Sequence, residues 1–119
     1  MGLDQNWLIA DKDDPGEHTS IAYHRKFNAL EGFMSGKWHS AGNEGEFNCE
    51  MLPITDAILN ELEIKAFSNN LEPLAGFFFG NTDKDEDYDM DIQELLTDVI
   101  PKVRQYMENG EAVFYRSWW

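Results

Sequence analysis

Residues 112–119 read Ala-Val-Phe-Tyr-Arg-Ser-Trp-Trp, and this stretch decides the fold. β-Branched and aromatic side chains favour a pleated, half-buried surface, so it reads as a strand. A strand needs a neighbour to satisfy its backbone groups. Immediately before it, Ile92, Leu95, Leu96, Val99, Ile100, Val103, Tyr106 and Met107 recur every three or four residues, giving a helix that stops near Asn109-Gly110. Pro101 falls inside that helix and should kink it. Far away in sequence, Leu3, Gln5, Trp7 and Ile9 alternate with Asp4, Asn6 and Leu8, the two-residue period of a strand with one mostly apolar face. The tail therefore pairs with this first strand, or with a middle one, across the length of the chain.

Between these ends the pattern changes twice. Residues 11–16 form a polar turn. From Ser20, the residues Tyr23, Phe27, Leu30, Met34 and Trp38 are spaced as one face of a helix capped by Thr19 or Ser20, leaving His24, Arg25, Asn28, Glu31 and Ser35 off the stripe. Residues 36–45 contain three glycines and read as a loop, and residues 47–54 read as extended. Thr55 then caps a second helix whose buried face is Ile58, Leu59, Leu62, Ala66 and Phe67, stopping at Asn69-Asn70. Gly76-Phe77-Phe78-Phe79-Gly80 is too short for a helix and too apolar for an exposed loop, so it should thread against the core. The order β-α-β-α-(β)-α-β implies an α+β fold, a small mainly antiparallel sheet packed against about three helices. At 119 residues the whole of 1–119 is expected to be a single domain.

Nine Lys+Arg against 23 Asp+Glu give a net charge of −14, a field that repels phosphate backbones and anionic lipids. Direct nucleic-acid or membrane binding is disfavoured. The single cysteine, Cys49, excludes an intrachain disulfide or an all-cysteine metal site, and in a strand it should be a buried structural thiol. The first residues lack the basic and apolar regions of a secretory signal, so a cytoplasmic location is expected.

Three constellations invite a chemical reading. Asp83, Asp85, Asp87, Asp89, Asp91 and Glu94 occupy the ligand positions of a calcium loop, but Tyr88 stands where the sharp turn wants glycine and no entering helix precedes Asp83. The expectation is instead an exposed acidic surface made by Asp83, Asp85, Glu86, Asp87, Asp89 and Asp91, with no calcium site. Tyr23, Arg25, Lys26 and Asn28 form a polar cluster expected on one turn of the first helix, either holding an anionic ligand or bonding to nearby acids such as Glu31. Arg25 in particular should be fixed by hydrogen bonds at the edge of the apolar stripe. His18, His24 and His39 are too scattered for zinc, and no cofactor is implied.

Several of these pieces resemble a family of small, mostly uncharacterised bacteriophage proteins. They are Met1 to Gln5, the Tyr23, Arg25, Lys26, Asn28, Ala29 pattern, Gly76 to Gly80 followed by acids and Tyr88, and the aromatic end containing Phe114, Tyr115 and Trp119. The resemblance spans nearly the whole chain. It departs from the family at Glu31, where a histidine is often found, and in the calcium-like spacing of the acids. It implies an accessory protein acting in the cytoplasm of an infected bacterium, and it carries no enzymatic activity with it.

Two functional classes fit. In the first, a non-catalytic viral protein binds and inhibits a host factor through its acidic surface. Duplex DNA carries one charge per ~1.7 Å, so this net charge matches roughly 24 Å of duplex. Such a DNA mimic would occupy the groove of a nuclease, restriction complex or CRISPR effector, as an anti-defence or anti-CRISPR inhibitor. In the second, a nucleotide-sized ligand is sequestered by Arg25, Lys26 and Asn28 against Phe77, Phe78, Phe79, Tyr115 and Trp119.

Overall fold

The computed structural model describes residues 3–10, 17–68, 70–71 and 86–118. The chain runs β1 (Asp4–Ala10), β2 (His18–Arg25), α1 (Asn28–Ser40), β3 (Met51–Pro53), α2 (Asp56–Phe67), α3 (Glu86–Glu94), α4 (Ile100–Glu108) and β4 (Val113–Trp118). The sheet order is β2-β1-β4-β3, and each neighbouring pair is antiparallel. This is the α+β architecture expected from the sequence, with the C-terminal strand paired to the N-terminal one. Residue Gln5 faces Ser117, and Trp7 faces Tyr115. The Gly76–Gly80 segment lies outside the described residues.

Alternation divides the sheet into two faces. Gln5, Trp7, His24, Leu52, Val113, Tyr115 and Ser117 are buried and turn toward the helices. Asp4, Asn6, Tyr23, Arg25, Phe114, Arg116 and Trp118 turn the other way. Against the inner face pack Leu30, Met34 and Trp38 of α1, Leu59, Leu62 and Ala66 of α2, and Leu95, Val99, Ile100 and Val103 of the last helical layer. Trp7 meets the Tyr115 ring edge-on at 5.6 Å, and Phe47 stacks on Tyr115 at 6.0 Å. Rings of this size dominate the apolar area removed from water.

The largest departure from the sequence reading is β2. Residues 20–25 form a strand, not the first turns of a helix. Phe27, Leu30, Met34 and Trp38 do form a buried helical stripe, and Tyr23 extends it by one turn only in sequence. In space Tyr23 is 51% exposed on the outer face. Pairing with β1 from Ala10↔His18 to Asp4↔Arg25, interrupted by one bulge at Ile21, satisfies most of the strand's backbone groups, which outweighs helical spacing carried by one extra residue. Neither Thr19 nor Ser20 caps α1. Lys26 takes a left-handed backbone (φ 58) and turns the chain, its N–H donating to the Leu3 carbonyl at 2.9 Å.

Thr55 does cap α2, accepting from the Ile58 N–H at 3.2 Å. Phe67, expected on the buried face of α2, is 83% exposed, because it falls one step past the stripe made by Leu59, Leu62 and Ala66. The last helical layer accommodates Pro101 with a π-helical turn, Leu95–Val99, between α3 and α4. A proline has no N–H to give to the preceding turn, and the widened turn stands where that bond would be made. No helix among the described residues is long and apolar enough to cross a membrane.

Candidate functional site

The polar side chains fall into three settings, and the first lies inside. Gln5 projects from β1 to the start of α1. Its amide nitrogen donates to the Phe27 carbonyl at 2.8 Å, and its oxygen accepts from the Phe27 N–H at 2.9 Å. One side chain thus binds both backbone groups of the residue before α1, where the helix has no side-chain cap of its own. The same nitrogen donates to the Tyr115 hydroxyl at 2.8 Å, which donates onward to Glu31 Oε1 at 2.8 Å. Ser117 Oγ donates to Glu31 Oε2 at 2.7 Å. Gln5, Glu31, Tyr115 and Ser117 are all at most 1% exposed. Burial, and then the neighbouring Glu31 charge, hold the Tyr115 hydroxyl well above its ordinary pKa, so it stays a protonated donor.

Beside this chain of bonds, Trp7 Nε1–H donates to His24 Nε2 at 3.1 Å. Burial lowers the His24 pKa from 6.5 to about 4, which keeps that nitrogen an acceptor at neutral pH. Charging the ring would place two donors against each other. His18 stacks edge-on to Phe114 at the other end of β2 from His24, and His39 on α1 bonds the carbonyls of Ser35 and Gly45. Among the described residues no cluster of His, Cys, Asp and Glu is placed to hold a metal ion.

The second setting is the outer face of the sheet, and it separates the cluster read from sequence. Tyr23 and Arg25 are exposed on β2, Lys26 is exposed in the turn, and Asn28 is buried at the start of α1. Arg25 was expected to be pinned at the edge of a helical stripe. Instead it is the last residue of a strand, and its guanidinium makes no hydrogen bond or ion pair with the described residues. Tyr23 donates to the Asp4 carboxylate, which raises its own pKa. A pocket combining Arg25 with Tyr115 is therefore not formed, because the two residues lie on opposite faces of the sheet. Phe77, Phe78, Phe79 and Trp119, the other expected walls, lie outside the described residues. Cys49, expected to be buried, is exposed with φ 61 just before β3.

The third setting is the acidic helical layer. From Glu86 to Glu108 there are seven carboxylates against Lys102 and Arg104, and both cations are already engaged. Lys102 Nζ donates to the Ile21 carbonyl at 3.0 Å, while Arg104 bonds Glu63 at 2.8 Å and Asn60 at 2.6 Å. Asp89, Glu94, Asp98 and Glu108 are exposed and Asp91 is half-buried. Asp83 and Asp85, with the side chains of Glu86 and Asp87, lie outside the described residues. Glu86–Glu94 is helical, so Asp89 and Asp91 stand on a helix. Tyr88 is buried there, its hydroxyl donating to the Leu71 carbonyl at 2.6 Å.

A groove of about 970 Å³ runs between α2 and this layer, with Ile64, Phe67, Ile92 and Leu96 along it and Glu63 and Asp89 at its rim. Ile64 and Phe67 on the groove are 67% and 83% exposed. Sequence reasoning missed it by assigning Phe67 to the core. Two apolar residues one turn apart on α2, both off the Leu59-Leu62 stripe, were the available signal. Large apolar side chains gathered in one exposed place and rimmed by charge mark protein-binding surfaces. No protein-family model, curated protein or solved structure matches the chain.

Proposed function

We propose that this chain is a non-catalytic interaction protein that binds a basic surface of a protein partner through the α2–α3 groove and the carboxylates of the last helical layer. The observation that carries this reading is the pairing of exposed Ile64 and Phe67 with acids of the last helical layer whose own cations, Lys102 and Arg104, are already engaged. Apolar anchors supply affinity, and the surrounding charge steers encounter and rejects acidic competitors. The titratable groups of the interior are consumed by the fold, so they support a structural role and not a reaction. The resemblance to bacteriophage proteins adds the setting, in which the partner is a host factor in the bacterial cytoplasm and the outcome is inhibition. A nucleic-acid-binding defence complex is the partner class with the required basic groove.

The test is capture of the tagged chain's partners from bacterial lysate, followed by challenge with duplex DNA. A partner displaced by the duplex, and bound less tightly as salt rises, supports the reading. A captured partner indifferent to both contradicts it. Phe67→Ser should weaken capture by about ten-fold without altering the melting temperature, because the ring is already in water.

A further inference from the structure

We propose a second binding site, on the outer face of the sheet, that takes a purine nucleoside monophosphate. Strand register places the face in rows. Arg25, Asp4 and Trp118 lie side by side across β2, β1 and β4, and Tyr23, Asn6, Arg116 and Met51 form the next row across all four strands. Over β1 and β4 a cleft of about 370 Å³ is lined by Asp4, Asn6, Leu8, Cys49, Arg116 and Trp118. That size lies within the roughly 300–1,000 Å³ usual for small-ligand sites.

The lining supplies the separate contacts such a ligand requires. The Trp118 indole is 64% exposed, a flat apolar plane in water on which a purine can stack. Arg116 is exposed and makes no hydrogen bond or ion pair with the described residues, whereas Lys37, Lys102 and Arg104 are each occupied by Glu61, Ile21 or Glu63. A planar guanidinium left open beside an aromatic plane suits a phosphate monoester. Arg25 and Lys26 at the same end of the sheet strengthen the local positive potential.

Base recognition falls to β1. Asn6 Oδ1 accepts from Ser20 at 2.8 Å, which orients its amide and leaves Nδ2 as a donor. Asp4 Oδ1 accepts from Tyr23, leaving Oδ2 as an acceptor on the same face. A donor and an acceptor already fixed by neighbouring side chains suit the polar edge of a purine, because little ordering remains to be done on binding. Directly beneath, Ser117 is locked to Glu31 at 2.7 Å, holding β4 between its two outward residues.

The ligand should be short. Arg116 in the cleft, with Arg25 across Asp4, can hold one phosphate group, but a polymer leaving this face would meet the field of a chain with net charge −14. The site is also on the opposite side of the sheet from the acidic groove, so its occupancy is independent of the proposed partner.

Calorimetric titration of the full chain with AMP and with GMP, together with amide chemical-shift mapping, tests the proposal. Either nucleotide should bind and shift amides at 4–8 and 116–118. Arg116→Gln should weaken binding by at least about ten-fold, and Trp118→Leu should do so comparably, with melting temperatures unchanged. If Arg116→Gln does not fold, Arg116→Lys takes its place, and it should also weaken binding because it keeps the charge but loses the fork. Several results would overturn the proposal. They are no binding of either nucleotide at millimolar concentration, shifts confined elsewhere, unaltered affinity in the folded variants, inorganic phosphate binding as well as the nucleotide, or a single-stranded oligothymidylate binding more tightly than both.

Discussion

β1 and β4 present alternate residues to two environments, and the same chemical groups behave differently on either side. Toward the helices, Gln5, Tyr115 and Ser117 are joined to Glu31 and to the Phe27 backbone by bonds of 2.7 to 2.9 Å. Toward solvent, the side chains of Arg116 and Trp118 lie one residue away and bond to none of the described residues. A polar group that the fold has saturated specifies the position of α1 on the sheet, whereas one left open in water is available to a ligand. Buried polar side chains here hold the fold, and recognition is proposed for exposed ones.

The comparison breaks most visibly if the interior can be opened at no cost. Glu31→Ala leaves the Tyr115 and Ser117 hydroxyls without their acceptor and removes packing at a buried position, so urea denaturation should show a loss of about 3 kcal/mol or more. A loss below about 1 kcal/mol would mean that the network is incidental.

His24 provides a comparable effect through pH. Its folded pKa, about 4, lies below the ordinary 6.5, so between these values the unfolded chain binds more protons. Stability from the neutral ring is therefore full above pH 6.5, declines as pH falls, and is exhausted near pH 4. The difference is worth roughly 3 kcal/mol. Denaturation at pH 6.5 and pH 5, where most carboxylates remain charged, should show the decline, and His24→Gln should flatten it.

A smaller effect sharpens the account. Tyr115→Phe keeps the ring packed against Trp7 and Phe47 but removes one donor to Glu31 and one acceptor for Gln5, costing about 1 to 2 kcal/mol. On the outer face, Arg25→Ala should change stability by less than about 0.5 kcal/mol.

The sequence revealed these regions unequally. The last helical layer, the second helix and the first strand were legible because each repeats one period over many residues, and the C-terminal strand because its side chains are β-branched and aromatic. β2 was not, since Tyr23 happens to stand four residues before Phe27 and so prolongs a real helical stripe. The left-handed turn at Lys26 uses no glycine, so no residue type announced it. The internal network was equally hidden. Glu31 reads as a surface acid until the register that brings Tyr115 and Ser117 opposite Trp7 and Gln5 is known, and that register is a long-range property. Arg25 was misplaced for the same reason. Of the acidic surface expected at 83–91, Asp89 is exposed and Asp91 half-buried, and the remaining carboxylates lie outside the described residues.

We propose partner recognition by the exposed acids and the groove beside them. With the captured partner immobilised, the variant carrying Asp89→Asn, Glu94→Gln and Asp98→Asn should be compared with the unaltered chain at low salt. About ten-fold weaker binding at an unchanged melting temperature is expected. Equal affinity in the two proteins would contradict the claim and move the interface elsewhere on the molecule.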